Sequence, residues 1–565
     1  MTNQSKKWEI LNNETLKGKK IVDLLLENRG IKTEKEKKEF FNPEDPMKIS
    51  LKSLGIKETE VEKAIERIKL AKKNDEHVVV YGDYDADGIT GTATMWETLH
   101  ELGIFVLPHI PERFSEGYGL NVESVAKLKT EDPKLSLIIT VDHGIVAGKK
   151  VTEVKKMGID MIISDHHQPH FVKTSRGKEV FDYPKALAVI HTLQIGGSAL
   201  AWFLAREIVK KIKIENSGFR IEEKLQLAAI GTIADQLPLV GPNRSVVKYG
   251  LEELRHTKRP GLLALFEEAR IEKENAGTYE VGYLIAPRIN SMGRLKHGLE
   301  SLRLLCTKDK IKAGQISNNI GRTNSERQKI VEEVIAHARK LYKSSEKESV
   351  IILAHESYHE GVIGLAAAKL VEEFYLPAIV LSVKNGIGKA SARSISGFNI
   401  IEAIRNFEGL YIEGGGHPMA AGFSIKEENI HQFSKRLNVF AKKLLTADLL
   451  QRKLKVDMEL EFSDLTQDLV DNLKNFEPTG VGNFSPTFVS QNIEIVSVKA
   501  VGKSAKHLKM KLKQGEYKID SIFFGGGEKY SDLKPGSKID IAYRLEENTW
   551  NGYTSIQLQI RDIRA

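Results

Sequence analysis

Apolar residues along the chain switch between two periods, and the switches mark its organisation. Up to about residue 75 they recur irregularly, as Leu24-Leu25-Leu26 and later Phe40-Phe41, and Val61 to Leu70 is an amphipathic run rich in Lys and Glu. Residues 1–75 are therefore expected to form a small helical lead-in. From His77 to about Leu254, short apolar runs alternate with amphipathic helices. His77 to Val80, Leu137 to Val141, Met161 to Ile163 and Ala186 to Ile190 read as strands. That alternation predicts a parallel α/β sheet over 76–254. Connecting helices are expected over 255–345, with 309–342 strongly helical and basic. A second α/β lobe is expected over 346–447, with strands at 350–353 and 378–381 around a helix at 362–374. After Leu445 the pattern changes to short alternating strands with Gly and Pro turns, which predicts a small β-barrel over 448–565. The shift near Thr446 reads as a domain boundary, so the two preceding lobes are expected to fold without the barrel.

Composition narrows the class. At 565 residues the chain should hold about three or four domains. No apolar run reaches membrane-spanning length, and Met1 to Lys7 leads into no apolar signal segment. The single cysteine, Cys306, excludes an internal disulfide and a cysteine-rich zinc site. The expected location is the cytoplasm. A net charge of +8 and a pI near 9.0 fit a polyanionic partner without requiring one.

The chemistry sits at strand ends. Val78-Val79-Val80 runs into YGDYDADG, which carries Asp83, Asp85 and Asp87; Leu137 to Val141 ends at Asp142; Met161 to Ile163 runs into Asp165, His166 and His167. The apolar run Leu225 to Ala234 stops at Asp235. In a doubly wound sheet the carboxyl ends of parallel strands share one edge, where ligands bind. Crowded carboxylates push each other towards protonation unless a cation neutralises them. An acidic turn with Asp83 as helix cap and Gly88 at positive φ is the alternative for the first cluster. Three such strand ends together favour a metal site.

Further along, Ser391 and Arg393 lie on a stretch that reads as a strand offering a hydroxyl and a guanidinium to phosphate. Gly414-Gly415-Gly416-His417 brings backbone amides close to an anion, or forms a tight turn. Gly386-Ile387-Gly388-Lys389 lacks the spacing of a nucleotide P-loop. Lys499 to Lys513 holds six lysines and no acid, with Lys509, Lys511 and Lys513 alternating with Met510 and Leu512. A strand there would turn the lysines to one face, suited to tracking phosphates. Phe484, Phe488, Phe523 and Phe524 are candidates for base stacking, although most are expected in the core.

The set YGDYDADG, TVDHGI, SDHHQP and GTIADQLPL resembles the DHH phosphoesterase superfamily. PERFSEGYGL, APRINSMGRL, NNIGRTNSERQ, EGGGHPMAAGFSI and EPTGVGNFSPTF narrow the resemblance to the RecJ type, single-strand-specific 5′→3′ DNA exonucleases. It implies a DHH-type parallel-sheet lobe, a DHH-associated α/β lobe and a C-terminal OB-fold barrel. It also implies two divalent cations, manganese or magnesium, held by Asp85, Asp87, Asp142, His166 and Asp235, with Asp142 bridging. Asp83 and His167 would support the metals or the phosphate. Arg113, Arg288 and Asn290 would meet substrate, with Arg294 beside them, and Ser391, Arg393, Gly415, Gly416 and His417 would grip the terminal nucleotide. The implied reaction hydrolyses single-stranded DNA to 5′-mononucleotides during repair and recombination, by a monomer acting alongside other repair proteins. Two departures from the family pattern stand out: His191-Thr192 in place of Asn-Pro, with only Gly196-Gly197-Ser198 as a partial echo of the following motif, and Glu112 before Arg113. The rival readings are a short-oligonucleotide phosphodiesterase of the same superfamily and a non-catalytic strand-binding scaffold.

Overall fold

The computed structural model describes residues 6–12, 19–173, 179–213, 218–344, 348–527, 530, 532–550 and 553–564. They fall into two compact units, one formed by Glu34–Arg327 with Pro478–Phe484, the other by Met1–Thr33, Gln328–Glu477 and Ser485–Ala565.

The first unit is built on a five-stranded sheet in the order Val106–His109, His77–Tyr81, Leu135–Val141, Asp160–Asp165, Ala188–His191. Every neighbouring pair is parallel, as the apolar alternation predicts. The three central strands are buried over nearly their whole length, which is why they read as continuous apolar runs. Helix Ala86–Glu101 leaves strand His77–Tyr81 through the acidic loop, and helix Gly197–Lys211 buries Trp202 and Phe203 completely. The Trp202 indole donates to the Ile221 carbonyl at 2.9 Å, so the ring is buried without stranding its N–H. Buried Arg206 on the same helix donates to the carbonyls of Pro46 and Ile49, fastening part of the lead-in to this core. Glu97, in the second half of helix Ala86–Glu101, pairs with both Arg259 and Lys224. Burial disfavours its charge, yet the two cations outweigh burial and hold its pKa down to about 2.

In the second unit, a five-stranded sheet runs in the order Tyr411–His417, Ala420–Lys426, Ile387–Arg393, Ala378–Lys384, Ile351–His355. Only its last pair is parallel. The other sheet of this unit is the expected barrel. Its strands Phe488–Val501, His507–Gln514, Tyr517–Phe523, Tyr553–Arg564 and Lys538–Trp550 close on themselves through pairing of the first with the last.

Two features depart from expectation. Lys7–Asn12, expected within a helical lead-in, is a strand paired in parallel with Lys453–Glu459, which extends the barrel sheet. Its intermediate burial gives a weak alternation, and its partner lies far along the chain, so nothing local announces it. The second lies past the boundary expected near Thr446, in a segment that goes with the first unit. Pro478–Phe484 belongs to that unit: Arg244 donates to the Pro478 carbonyl at 3.1 Å, Thr278 to Thr479 at 2.8 Å, and the Leu239 amide to Val481 at 2.7 Å.

Candidate metal centre

The acidic loop is shaped by its own backbone amides. Asp85 caps helix Ala86–Glu101, accepting from the Asp87 and Gly88 amides at 3.0 Å each through one carboxylate oxygen. Asp85, not Asp83, is thus the helix cap. The Ala86 amide donates to the Asn290 side chain at 2.7 Å, so Asn290, expected on substrate, is engaged in holding this loop. Asp87 is gripped from another direction. The Gly197 and Ser198 amides, at the start of helix Gly197–Lys211, donate to its two oxygens at 2.7 and 3.0 Å. A side chain at Gly197 would come within 2.5 Å of Asp142, and one at Gly231 within 2.3 Å of Asp87. Only glycine permits that closeness.

These interactions bring the acids of separate elements together. His166 Nε2 lies 3.1 Å from Asp142, 3.7 Å from Asp235 and 3.8 Å from Asp87. Three groupings have ligand atoms within 4.8 Å of one another: Asp83, Asp85 and Asp142; Asp142, His166 and His167; Asp87, His166 and Asp235. Every residue expected to hold or support the metals is in this cluster.

The electrostatics are those of crowded acids. Burial, then the neighbouring carboxylates, raises the pKa values of Asp83, Asp85 and Asp142, and pushes Asp235 up to about 8. One oxygen each of Asp83 and Asp142 is buried without a hydrogen-bond partner among the described residues. Asp142 also sits at φ 69°, in the left-handed region where Asp and Asn are tolerated better than most residues. Buried oxygens left open, mutual repulsion and a donor set of carboxylates with imidazole fit divalent cations that prefer oxygen ligands.

Sequence reasoning placed Asp165 at a strand end without giving it a role, and missed the role of His191. Buried Asp165 accepts from the Ile145 amide at 2.8 Å and holds His167 Nδ1 at 2.8 Å. Burial would lower the His167 pKa, but the Asp165 bond and charge outweigh it and hold the imidazole at about 9. His191, one of the two departures, lies with Nε2 2.8 Å from the His167 carbonyl. The signal available in the sequence was position alone: Asp165 is the last residue of its strand, as Asp142 follows the last of its own.

The remaining candidates divide. Arg113 donates to the Gly293 carbonyl at 3.0 Å and lies 4.2 Å over the Tyr84 ring, beside the acidic loop. Arg288 is engaged by Glu268 at 2.5 Å and by the Leu284 carbonyl, a structural pairing that occupies part of its fork. In the other unit, Arg393 donates to Ser391 Oγ at 3.1 Å and meets no carboxylate among the described residues. Gly364, unnoticed in the sequence, leaves room beside both: a side chain there would meet Ser391 Oγ at 2.9 Å and Arg393 at 3.0 Å. The helix Ile363–Phe374 starts at this point. Gly414 to His417 lie exposed on an edge strand, where a tight turn was the alternative. Lys509 and Lys511 point outward while Leu508, Met510 and Leu512 are buried, as the alternation predicts. Lys499 stands directly opposite Lys509, a like-charge pair that costs stability unless an anion lies across it. Of the four phenylalanines, Phe488 is core, Phe523 half-buried, and Phe484 and Phe524 are exposed.

Comparison with known proteins sets the class. Models of the DHH family N-terminal domain, the DHHA1 domain and the RecJ OB domain match residues 77–232, 347–443 and 456–562. A chain with these three parts, in this order and with this acid cluster, is a DHH phosphoesterase. The chain is 34% identical over 559 residues to a relative from Bacillus subtilis named single-stranded-DNA-specific exonuclease RecJ, covering 96% of this chain and 67% of that one. Crystal structures of RecJ from Thermus thermophilus in complex with Mn2+ and Mg2+ superpose with TM-scores of 0.82 and 0.75 at 28% and 26% identity. They cover 100% and 99% of this chain and 80% and 78% of those. The chain belongs to the RecJ family.

Proposed function

We propose that the protein is a single-stranded-DNA-specific exonuclease that hydrolyses phosphodiester bonds with two divalent cations, manganese or magnesium. The observation that carries the reading is Asp142. It is buried, shared by two of the three ligand groupings, and has an oxygen that accepts no hydrogen bond among the described residues while facing His166 Nε2 at 3.1 Å. Asp85, Asp87, Asp142, His166 and Asp235 would hold the metals. When bound, such a pair neutralises the phosphate and acidifies the attacking water.

The protein's own residues make the rest of the site rigid. The Gly197 and Ser198 amides fix both oxygens of Asp87, and one oxygen of Asp85 is pinned by its own helix start, leaving the other free. Asp165 fixes His167 through Nδ1, and Nε2, with the Tyr118 hydroxyl at 3.5 Å, is the nitrogen turned to meet a phosphate oxygen. Ser391, Arg393 and the helix start at Gly364 supply donors without a carboxylate and suit a terminal phosphate. Attack from the 5′ end and release of 5′-mononucleotides follow the family's pattern. A cytoplasmic monomer working with other repair proteins is the setting this reading implies. With manganese and single strands labelled at one end, the 5′ label should leave first, as a mononucleotide. Earlier release of the 3′ label would reverse the polarity, and equal rates on duplex would remove the strand preference.

Arg393→Ala should weaken binding of a 5′-phosphorylated strand roughly ten-fold, because a charge-assisted hydrogen bond to its terminal phosphate is lost. Manganese binding, measured by calorimetry, should stay as in wild type; failure to bind metal would mean that Arg393 supports the fold and not the phosphate. Replacing Lys509, Lys511 and Lys513 with Gln should weaken binding of long strands. It should also flatten the salt dependence by roughly 0.7 in slope for each phosphate that no longer meets a lysine. An unchanged slope across a salt series would leave these lysines as surface solvation only.

A further inference from the structure

Beside the last carboxylate of the metal centre lies aromatic surface that the chemistry above does not use. Helix Leu225–Ala234 ends at Asp235, and Gln236 turns out of it at φ 57°. Against this end packs Glu280–Ile285, six residues of π-helix. The two meet at Gly282, where a Cβ would stand in ordinary contact, 3.5 Å from Ile233 Cγ2. Tyr279 and Tyr283, spaced to share a face, project outward, 61% and 71% exposed. Their rings stack on one another at 5.0 Å with 27° between planes. π-Helical turns are rare and concentrate where proteins do their work.

The neighbouring segment continues this surface. Pro478–Phe484 is pinned to the same unit by the Thr278–Thr479 and Leu239–Val481 hydrogen bonds, and Gly482 fits closely against Pro238. Yet Val481 and Phe484 remain 38% and 62% exposed. A single exposed aromatic is ordinary. Here two stacked phenols stand beside a pinned segment that also turns a phenyl ring to solvent, next to the loop that carries Asp235.

We propose that Tyr279 and Tyr283 form a platform on which bases of the single strand stack outside the cleavage centre, on its Asp235 side. The ligand assignment rests on the exonuclease reading. Every base has a π-face, so the platform takes strands without regard to sequence. The backbone phosphates are left to cationic groups elsewhere. Bases, not phosphates, are thus what these rings read.

The test is binding of a fluorescent oligothymidylate, and of the same strand with abasic internal positions, by the full chain in EDTA. Wild type and the Y279F/Y283F variant should bind the intact strand alike and the abasic strand about ten-fold or more weakly. The Y279A/Y283A variant should bind the intact strand about ten-fold less tightly and be nearly indifferent to removal of the bases. Equal affinity of wild type and the Ala pair for the intact strand overturns the platform. So does an undiminished base dependence in the Ala pair. If circular dichroism shows the double variant unfolded, Y279A and Y283A singly carry the same comparison. Wild-type cleavage of the intact strand with manganese is read in parallel. Its absence would sink the exonuclease reading, while the binding comparison still decides the platform.

Discussion

Asp142→Asn should give a folded chain that cleaves single strands on the order of a thousand-fold more slowly. The same substitution should raise the melting temperature of the metal-free protein. Both effects have one cause. Asp142 is buried among Asp87, Asp85 and Asp83, and one of its oxygens accepts no hydrogen bond among the described residues. Burial and those neighbours make its charge unfavourable in the protein alone. A neutral amide relieves the repulsion but no longer serves as a shared anionic ligand. Asn is chosen because it tolerates φ 69° as Asp does, whereas Ala there costs about 1–2 kcal/mol of backbone strain. Relief of each kcal/mol should move the transition by about 2–4 °C. Cleavage with manganese and a thermal scan in EDTA check the two halves. Near-normal turnover would remove Asp142 from the metal centre, and a lower melting temperature would contradict the repulsion.

Glu97→Gln should destabilise the metal unit by about 3–5 kcal/mol at neutral pH, although Glu97 lies outside the acid cluster. The substitution leaves Arg259 and Lys224 without their shared counter-charge, and both are largely buried. The pH dependence follows from the depressed pKa. The unfolded carboxyl titrates near 4.5 and the folded one near 2, so the folded state prefers the ionised form. Its contribution, about 3 kcal/mol, is complete above about pH 5 and is lost as pH falls from 4.5 towards 2. Urea unfolding at pH 7 and pH 3 checks it: the gap between wild type and Glu97→Gln should narrow at the lower pH. A constant gap would mean that the loss comes from packing and not from charge.

The metal centre was legible in the sequence because parallel strands deliver their last residues to one edge. Val141-Asp142 and Ile163 to His167 therefore converge without any local signal linking them. Asp87 shows where that legibility ends. Its two oxygens are held by the amides of Gly197 and Ser198, and a backbone amide is the same group in every non-proline residue. The partial motif Gly196-Gly197-Ser198 thus holds the Asp87 carboxylate in place. Asn290 was expected on substrate, but its partner, the Ala86 amide, is invisible to sequence for the same reason. Arg288 meets a carboxylate that no motif announces, because Glu268 sits on a helix with no signature of its own. The barrel lysines were readable because a strand's period of two sorts charged from buried residues directly. Pairing of Lys7–Asn12 with Lys453–Glu459 was not, since the match depends on register across most of the chain.

That parallel pairing also orders events during synthesis. Residues of the metal unit up to Arg327 leave the ribosome in one uninterrupted stretch, lacking only Pro478–Phe484. The strand Lys7–Asn12 emerges before all of them, yet its partner Lys453–Glu459 is made after them. For that interval it is an unpaired edge on the nascent chain, short and carrying Lys7 and Glu9, which makes it a poor template for mispairing.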